Sequence, residues 1–262
     1  MHKQLTNTLL QLSDYKFFLR LAINLLIILI SPDNTVAQSI ETENKSIINQ
    51  QIWIDIYPHY YISDKLEYYG DAGYRTIVGK RSWTRVYARP SLKHHFNKTF
   101  EVHAGIGLFY IFYNNNADQF EITPWQGFQA NWPTLTRISF KHQIKLEERF
   151  SFKTEDWSSG FEFRFRYKLF GKVSFVRNEK IFIPFYAELF LPLTGEIEEL
   201  YSNKGRAGVG LGYKLDNDWQ FAFVFNWQGS RGGVNENLNI SDYAYQIKIK
   251  KIWNGSVLKK GL

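Results

Sequence analysis

Few residues in this chain are of a type that could do chemistry, and they are scattered. The 262 residues include no cysteine, which removes nucleophilic thiols, thiolate metal sites, disulfides and a lipid-modified N-terminal cysteine. General-base or nucleophile-activating chemistry near neutral pH then falls to histidine. His103 is the best placed of the six. Glu101 stands two residues before it, so on a strand the carboxylate and the imidazole share a face. No serine or threonine is set beside that pair by spacing, as a lipid-modifying or proteolytic barrel rim would require. A paired or solvated histidine is the plainer reading, and the same holds for His94-His95 beside a turn as a metal site. His103 with Glu101 is thus the one catalytic candidate, and no metal or cofactor is implied.

Two glycine-rich stretches resemble nucleotide loops only superficially. Residues 208–212, GVGLG, lack the dinucleotide spacing, and no helix follows. Glycine at every second position instead puts three on one strand face, where bulky neighbours need room. Residues 73–80 miss the phosphate-loop spacing by one and also precede no helix.

The elements that carry these residues are strands. In 160–170, GFEFRFRYKLF, Phe161, Phe163, Phe165, Tyr167 and Leu169 share one parity, and Glu162, Arg164, Arg166 and Lys168 share the other. A period of two is the mark of β-structure. The contrast recurs at 138–149, 219–227 and 243–250. Runs at 51–61, 66–77, 83–95, 99–113, 120–131, 135–150, 160–170, 180–191, 204–215, 219–228 and 243–253 read as strands joined by alternately tight and longer links. A soluble sandwich shows shorter strands and Greek-key links. Long hairpin-connected strands with a charged face opposite an apolar one fit a membrane barrel, in which lipid meets the apolar face. Aromatics at 18% of the chain, with Trp219 and Trp227 at the two ends of one apolar face, fit interfacial girdles.

The expectation is an all-β, up-and-down antiparallel transmembrane β-barrel. The count of runs is eleven, but single-chain bacterial barrels have even numbers, so about 12 strands are expected, with ten as second choice. Residues 21–30, LAINLLIILI, follow Lys16 and Arg20 and precede Thr35-Val36-Ala37-Gln38. That order reads as a secretory signal peptide at 1–37. Then come a polar periplasmic lead at 38–50, the barrel at 51–253 and a tail at 254–262. Losing 1–37 takes three basic and two acidic residues and lowers the formal charge from +7 to +6. That surplus lies mostly on the inner face, with no basic patch bearing stacking aromatics outside, so nucleic acid is not an expected partner. The expected partners are outer-membrane lipid and the barrel-assembly machinery, with a monomeric chain in the outer membrane of a Gram-negative cell.

Several motifs in fixed order carry a family resemblance. They are Pro124-Trp125-Gln126 after Glu121, His142 through Arg149 (HQIKLEER), Arg164-Phe165-Arg166-Tyr167, Glu188, and Arg206 with Gly212-Tyr213, preceded by Trp53 and Arg89-Pro90. Together they resemble a bacterial family of predicted outer-membrane proteins known as domain of unknown function 2490, over about residues 53–253. The resemblance implies an outer-membrane barrel and brings no activity with it. The functional reading is a narrow or plugged channel, or a structural membrane protein, with a charged lumen. The alternative is an enzyme acting on lipid or peptide at a barrel rim.

Charge complementarity predicts the register of the inner face. A link centred near 155–156 sets Arg149 opposite Glu162, Glu147 opposite Arg164 and Lys145 opposite Arg166. Links centred near 176 and 197 set Arg164 beside Glu188 and Glu188 beside Arg206. The expected lumenal belt is therefore Glu147, Arg149, Glu162, Arg164, Arg166, Glu188 and Arg206.

Overall fold

The computed structural model describes residues 47–78, 83–134, 137–175, 180–194, 202–215, 218–231 and 240–253. Strands with one large apolar face and one polar face can gather their polar groups together if the sheet curls, with polar groups meeting each other inside and apolar ones outside. That is the arrangement found. The strands are β1 (Ile47–Tyr61), β2 (Leu66–Tyr69), β3 (Asp71–Val78), β4 (Trp83–Arg89), β5 (Ser91–His95), β6 (Phe100–Tyr113) and β7 (Gln119–Asn131), followed by β8 (Ile138–Lys153), β9 (Ser159–Ser174), β10 (Ile181–Pro192), β11 (Ser202–Lys214), β12 (Trp219–Arg231) and β13 (Ile240–Trp253). All belong to one sheet, in which every pairing is antiparallel except the parallel β13–β1 pair that closes it.

Two wall strands are each interrupted by one residue. β2 and β3 keep a single register against β1, with His59 opposite Tyr69 and Ile56 opposite Ala72. β4 and β5 do the same against β6, with Ala88 opposite Leu108 and Ser91 opposite Gly105. The breaks fall at Gly70 and Pro90, and a proline has no N–H to give the ladder. The thirteen segments therefore make a wall of eleven strands.

Eleven is the number of runs read from the sequence; twelve, which pairing parity favoured, is not reached. The reason is the closure. β1 and β13 run parallel, from Ile47 opposite Ile240 to Tyr60 opposite Trp253, and a parallel pair closes an odd wall as well as an antiparallel pair closes an even one. Residues 47–50, assigned by the sequence reading to the lead, are the first turn-free stretch of β1 and not a separate strand.

The faces follow parity around the wall. Ile52, Ile54, Ile56, Leu189, Leu191, Leu211, Phe221, Phe223 and Ile247 are exposed on the outside. Gln51, Asp55, Glu67, Glu121, Glu147, Arg149, Glu188, Asn226 and Asp242 are buried inside. This is a closed β-barrel with an apolar outer face and its charge in the lumen. The glycine ladder of β11 has the predicted use: a Cβ on Gly208 would meet the Tyr186 ring and Asn226, and one on Gly212 would meet the Phe182 ring.

The links 62–65, 96–99, 132–137, 175–180 and 215–218 lie at one rim, where β13 also ends. The strand ends at Val78 and Trp83, Tyr113 and Gln119, Lys153 and Ser159, Pro192 and Ser202, and Arg231 and Ile240 lie at the other, where β1 begins. β9 runs to Ser174 rather than stopping at residue 170, so the link after it is shorter than its composition implies. The residues added, 171–174, pair with β8 on one side and β10 on the other. Gly171 is needed there because the Phe185 ring lies where its side chain would be.

Candidate functional site: the lumenal charge network

Seven residues of the predicted belt project inward and form one connected network with others that the sequence reading did not include. Arg149 lies at its start. Its Nε and Nη2 donate to the two oxygens of Glu121 at 3.1 and 2.6 Å, and its Nη1 donates to Glu162 at 3.1 Å. Such a bidentate fork holds both groups in one plane. Arg164 donates from Nε and Nη2 to Oε2 of Glu147 at 2.9 and 2.6 Å. Arg166 bridges Glu147, through Nη1, and Glu188, through Nη2 at 2.5 Å.

Glu188 gathers three cations. Lys168 Nζ approaches its Oε2 to 3.4 Å and Arg206 Nη1 to 3.6 Å. Arg206 then donates from Nε and Nη2 to Gln228 at 2.9 and 2.6 Å, and Gln228 donates to Asp242 at 3.3 Å. Asn49 completes the path across the parallel seam, donating to Asp242 at 2.8 Å. Asp55 holds the same seam further in. It accepts from Tyr87 at 2.7 Å, from Arg75 at 3.3 Å and from Gln246 of β13.

The register explains which pairs form. Arg149 faces Glu162, Glu147 faces Arg164 and Lys145 faces Arg166, as charge pairing predicts. Glu188 faces Arg206 on β11. On β9, however, Glu188 faces Lys168, and Arg164 faces Pro192. The expected neighbour of Glu188 was Arg164; the longer β9 displaces the register by four residues, and Arg166 takes that place. The alternation of sign persists as Glu147, Arg166, Glu188, Arg206.

Aromatic rings separate the guanidinium groups. Trp53, 2% exposed, has Arg75 over its ring at 4.2 Å and Arg206 at 4.8 Å, while its indole N–H donates to Gln51 at 2.8 Å. Phe190 carries Arg166 at 4.9 Å and Arg206 at 5.3 Å. Cation–π contact of this kind attracts a cation without adding a carboxylate. Inside the ring of charges is a cavity of about 90 Å³, walled by seven arginines, Lys168, Lys248 and a single carboxylate, Glu121, among its ionisable residues other than tyrosine.

A second inward cluster lies toward the tight-turn rim, in the first third of the wall. His59 Nδ1 meets Glu67 at 2.5 Å, His95 Nε2 meets Glu67 at 3.1 Å, and His95 Nδ1 meets Glu101 at 3.2 Å. Lys93 reaches Glu101 at 3.3 Å, and Gln129 and Asn131 donate to Glu101 at 2.7 and 2.9 Å. The sequence reading paired Glu101 with His103. The structure gives Glu101 to His95 instead, since His95 lies directly across the hairpin. His103 is buried against Trp125 and within 3.4 Å of the Gln143 side-chain nitrogen. The signal for this cluster was present in the tight turn at 96–99, whose centre fixes His95 opposite Glu101. His94 and His95 face opposite sides of the wall, and no group of His, Asp and Glu suited to a metal ion occurs among the described residues.

A solved structure described as the NanC porin in a rhombohedral crystal form is similar to this chain at 12% identity and a TM-score of 0.44, over 74% of this chain and 96% of that one. No curated protein matches the sequence. A family model described as "Protein of unknown function (DUF2490)" matches residues 50–237. The match takes in most of the wall, the lumenal belt from Glu147 to Arg206 and the ordered motifs from Trp53 to Tyr213, and the chain belongs to the DUF2490 family.

Proposed function

We propose that this chain is an outer-membrane barrel whose lumen is occluded by its own ion pairs, acting as a narrow pore for small ions or as a structural element of the membrane. The single observation that carries the reading is the continuity of the network. Carboxylates and guanidinium groups from β7 to β13 and β1 bond to one another across the interior, and the space among them is about 90 Å³. An oxygen-lined path wide enough for a sugar would need that network to part, and each broken pair would leave a charge without its partner. The apolar outer face supports the membrane as its surroundings, and export through the segment at 1–37 would bring it there.

The test is solute passage through proteoliposomes. Wild-type protein is expected to retain a trapped trisaccharide while passing small ions at most in small single-channel steps. Arg166→Ala with Glu147→Ala, which removes a matched pair and leaves less charge in the way, is expected to raise conductance. Release of the trisaccharide by wild-type protein at the rate of an open porin would overturn the proposal.

A further inference from the structure

The cavity within the charge network has more cations than its carboxylates neutralise. Nine arginines and lysines line it. The carboxylates that pair with them are Asp55, Asp71, Glu121, Glu147, Glu162 and Glu188. Arg85 and Lys248 are the two lining cations with no hydrogen bond or ion pair among the described residues. Arg85 has ring contacts, 5.5 Å from the Trp83 centroid and 6.0 Å from that of Phe109, and it shares the attraction of Glu121 with Arg149 and Arg164.

The donors tell the same story independently of the count. The Nε–H groups of Arg75, Arg85 and Arg166 are buried and donate to no protein atom. All three residues line this one cavity. Buried polar groups are ordinarily satisfied, and a lone buried charge costs more than a lone dipole. A ligand that answered both features would be anionic, would carry several acceptor oxygens and would be small, since the volume equals about three waters.

We propose that the cavity is a binding site for a small oxyanion, a phosphate or a short-chain carboxylate, held by Arg85 and Lys248 with the free Nε–H groups of Arg75 and Arg166. Guanidinium forks match such oxygens in geometry as well as charge, whereas chloride offers no such fan of acceptors. The inference rests on the occluded-lumen reading only for the enclosure of the cavity. Binding is measured on protein in micelles and occlusion by solute passage, so either can fail without the other.

The experiment uses the folded full barrel in detergent. Sodium phosphate, sodium acetate and sodium chloride are titrated at matched ionic strength, with the midpoint of thermal unfolding and the heat of binding as readouts. Phosphate or acetate is expected to raise the midpoint with concentration and to bind about tenfold or more tightly than chloride. Arg85→Gln is expected to weaken oxyanion binding by about tenfold and to raise the midpoint in oxyanion-free buffer, because it removes a buried charge that has no ion pair of its own. Lys98→Gln, in the exposed turn at 96–99, is expected to leave binding unchanged. Lys248→Gln reads the same loss if Arg85→Gln does not fold. Equal responses to all three salts, the result expected if water alone satisfies the donors, would overturn the proposal, as would full oxyanion binding in both variants.

Discussion

At the scale of single residues, Glu188 carries the most consequence. It is 3% exposed and lies among Arg166, Lys168 and Arg206. Glu188→Gln keeps the shape of the side chain and removes the charge that holds three cations together. Breaking a buried pair from one side leaves the other side uncompensated, so unfolding in urea should become easier by about 3–5 kcal/mol. A loss below about 1 kcal/mol would mean that lumenal water, not Glu188, solvates those cations. The face of Glu188 was legible from parity alone, because a strand has only two faces. Its partner was not, because register depends on where a link turns. Four residues at 171–174 that fell in a link are wall, and Gly171 makes room there for Phe185. The cluster of His59, Glu67 and His95 went unread for a related cause: its members come from three wall strands, and only two adjacent registers taken together bring them into contact.

At the scale of a strand, the question is which solvent each face meets. β12 is the clearest case, with Phe221 and Phe223 exposed outward and Val224, Asn226 and Gln228 buried inward. If lipid lies outside, Phe223→Arg and Phe163→Arg should each destabilise the barrel by about 2–4 kcal/mol in bilayers. Gln220→Arg, on the inner face beside the tight-turn rim, should cost much less. Gly210 cannot serve as the inner control, because any side chain there would collide with the carbonyl of Phe223. Equal tolerance of arginine at Phe223 and Gln220 would sink the lipid assignment and favour a water-soluble barrel. The strand pattern also shows what sequence resolves poorly at this scale. The interruptions at Gly70 and Pro90 fall in one row with Pro58 and Pro124, linked through Ile106. Each residue alone reads as a strand end or an edge. Only the closed sheet shows the chain continuing through them, with Gly70 and Ile106 still donating to the carbonyls of Pro58 and Pro90 at 3.3 and 3.1 Å.

At the scale of the whole molecule, an odd wall separates the two ends of the chain. In an even up-and-down barrel both ends leave at one rim. Here β1 and β13 point the same way, so Ile47 lies at the rim of the longer links and Trp253 at the rim of the tight turns. Short turns face the periplasm and longer loops the exterior in barrels of this kind. On that orientation Trp253 would lie at the periplasmic rim and Ile47 at the outer one. The periplasmic lead expected from the sequence and periplasmic tight turns therefore cannot both hold. The conflict arises because the parallel closure of β1 on β13 puts the two ends of the wall at opposite rims. Epitope tags decide it. A tag placed immediately before Ile47 should bind antibody on intact cells, and one placed after Trp253 should bind only once the outer membrane is permeabilised. Protection of both tags in intact cells would require an even wall, with the pairing of β1 and β13 replaced by another closure. A tag exposed only after Trp253 would keep the wall and invert the barrel, bringing the cluster of His59, Glu67 and His95 to the outer surface of the cell.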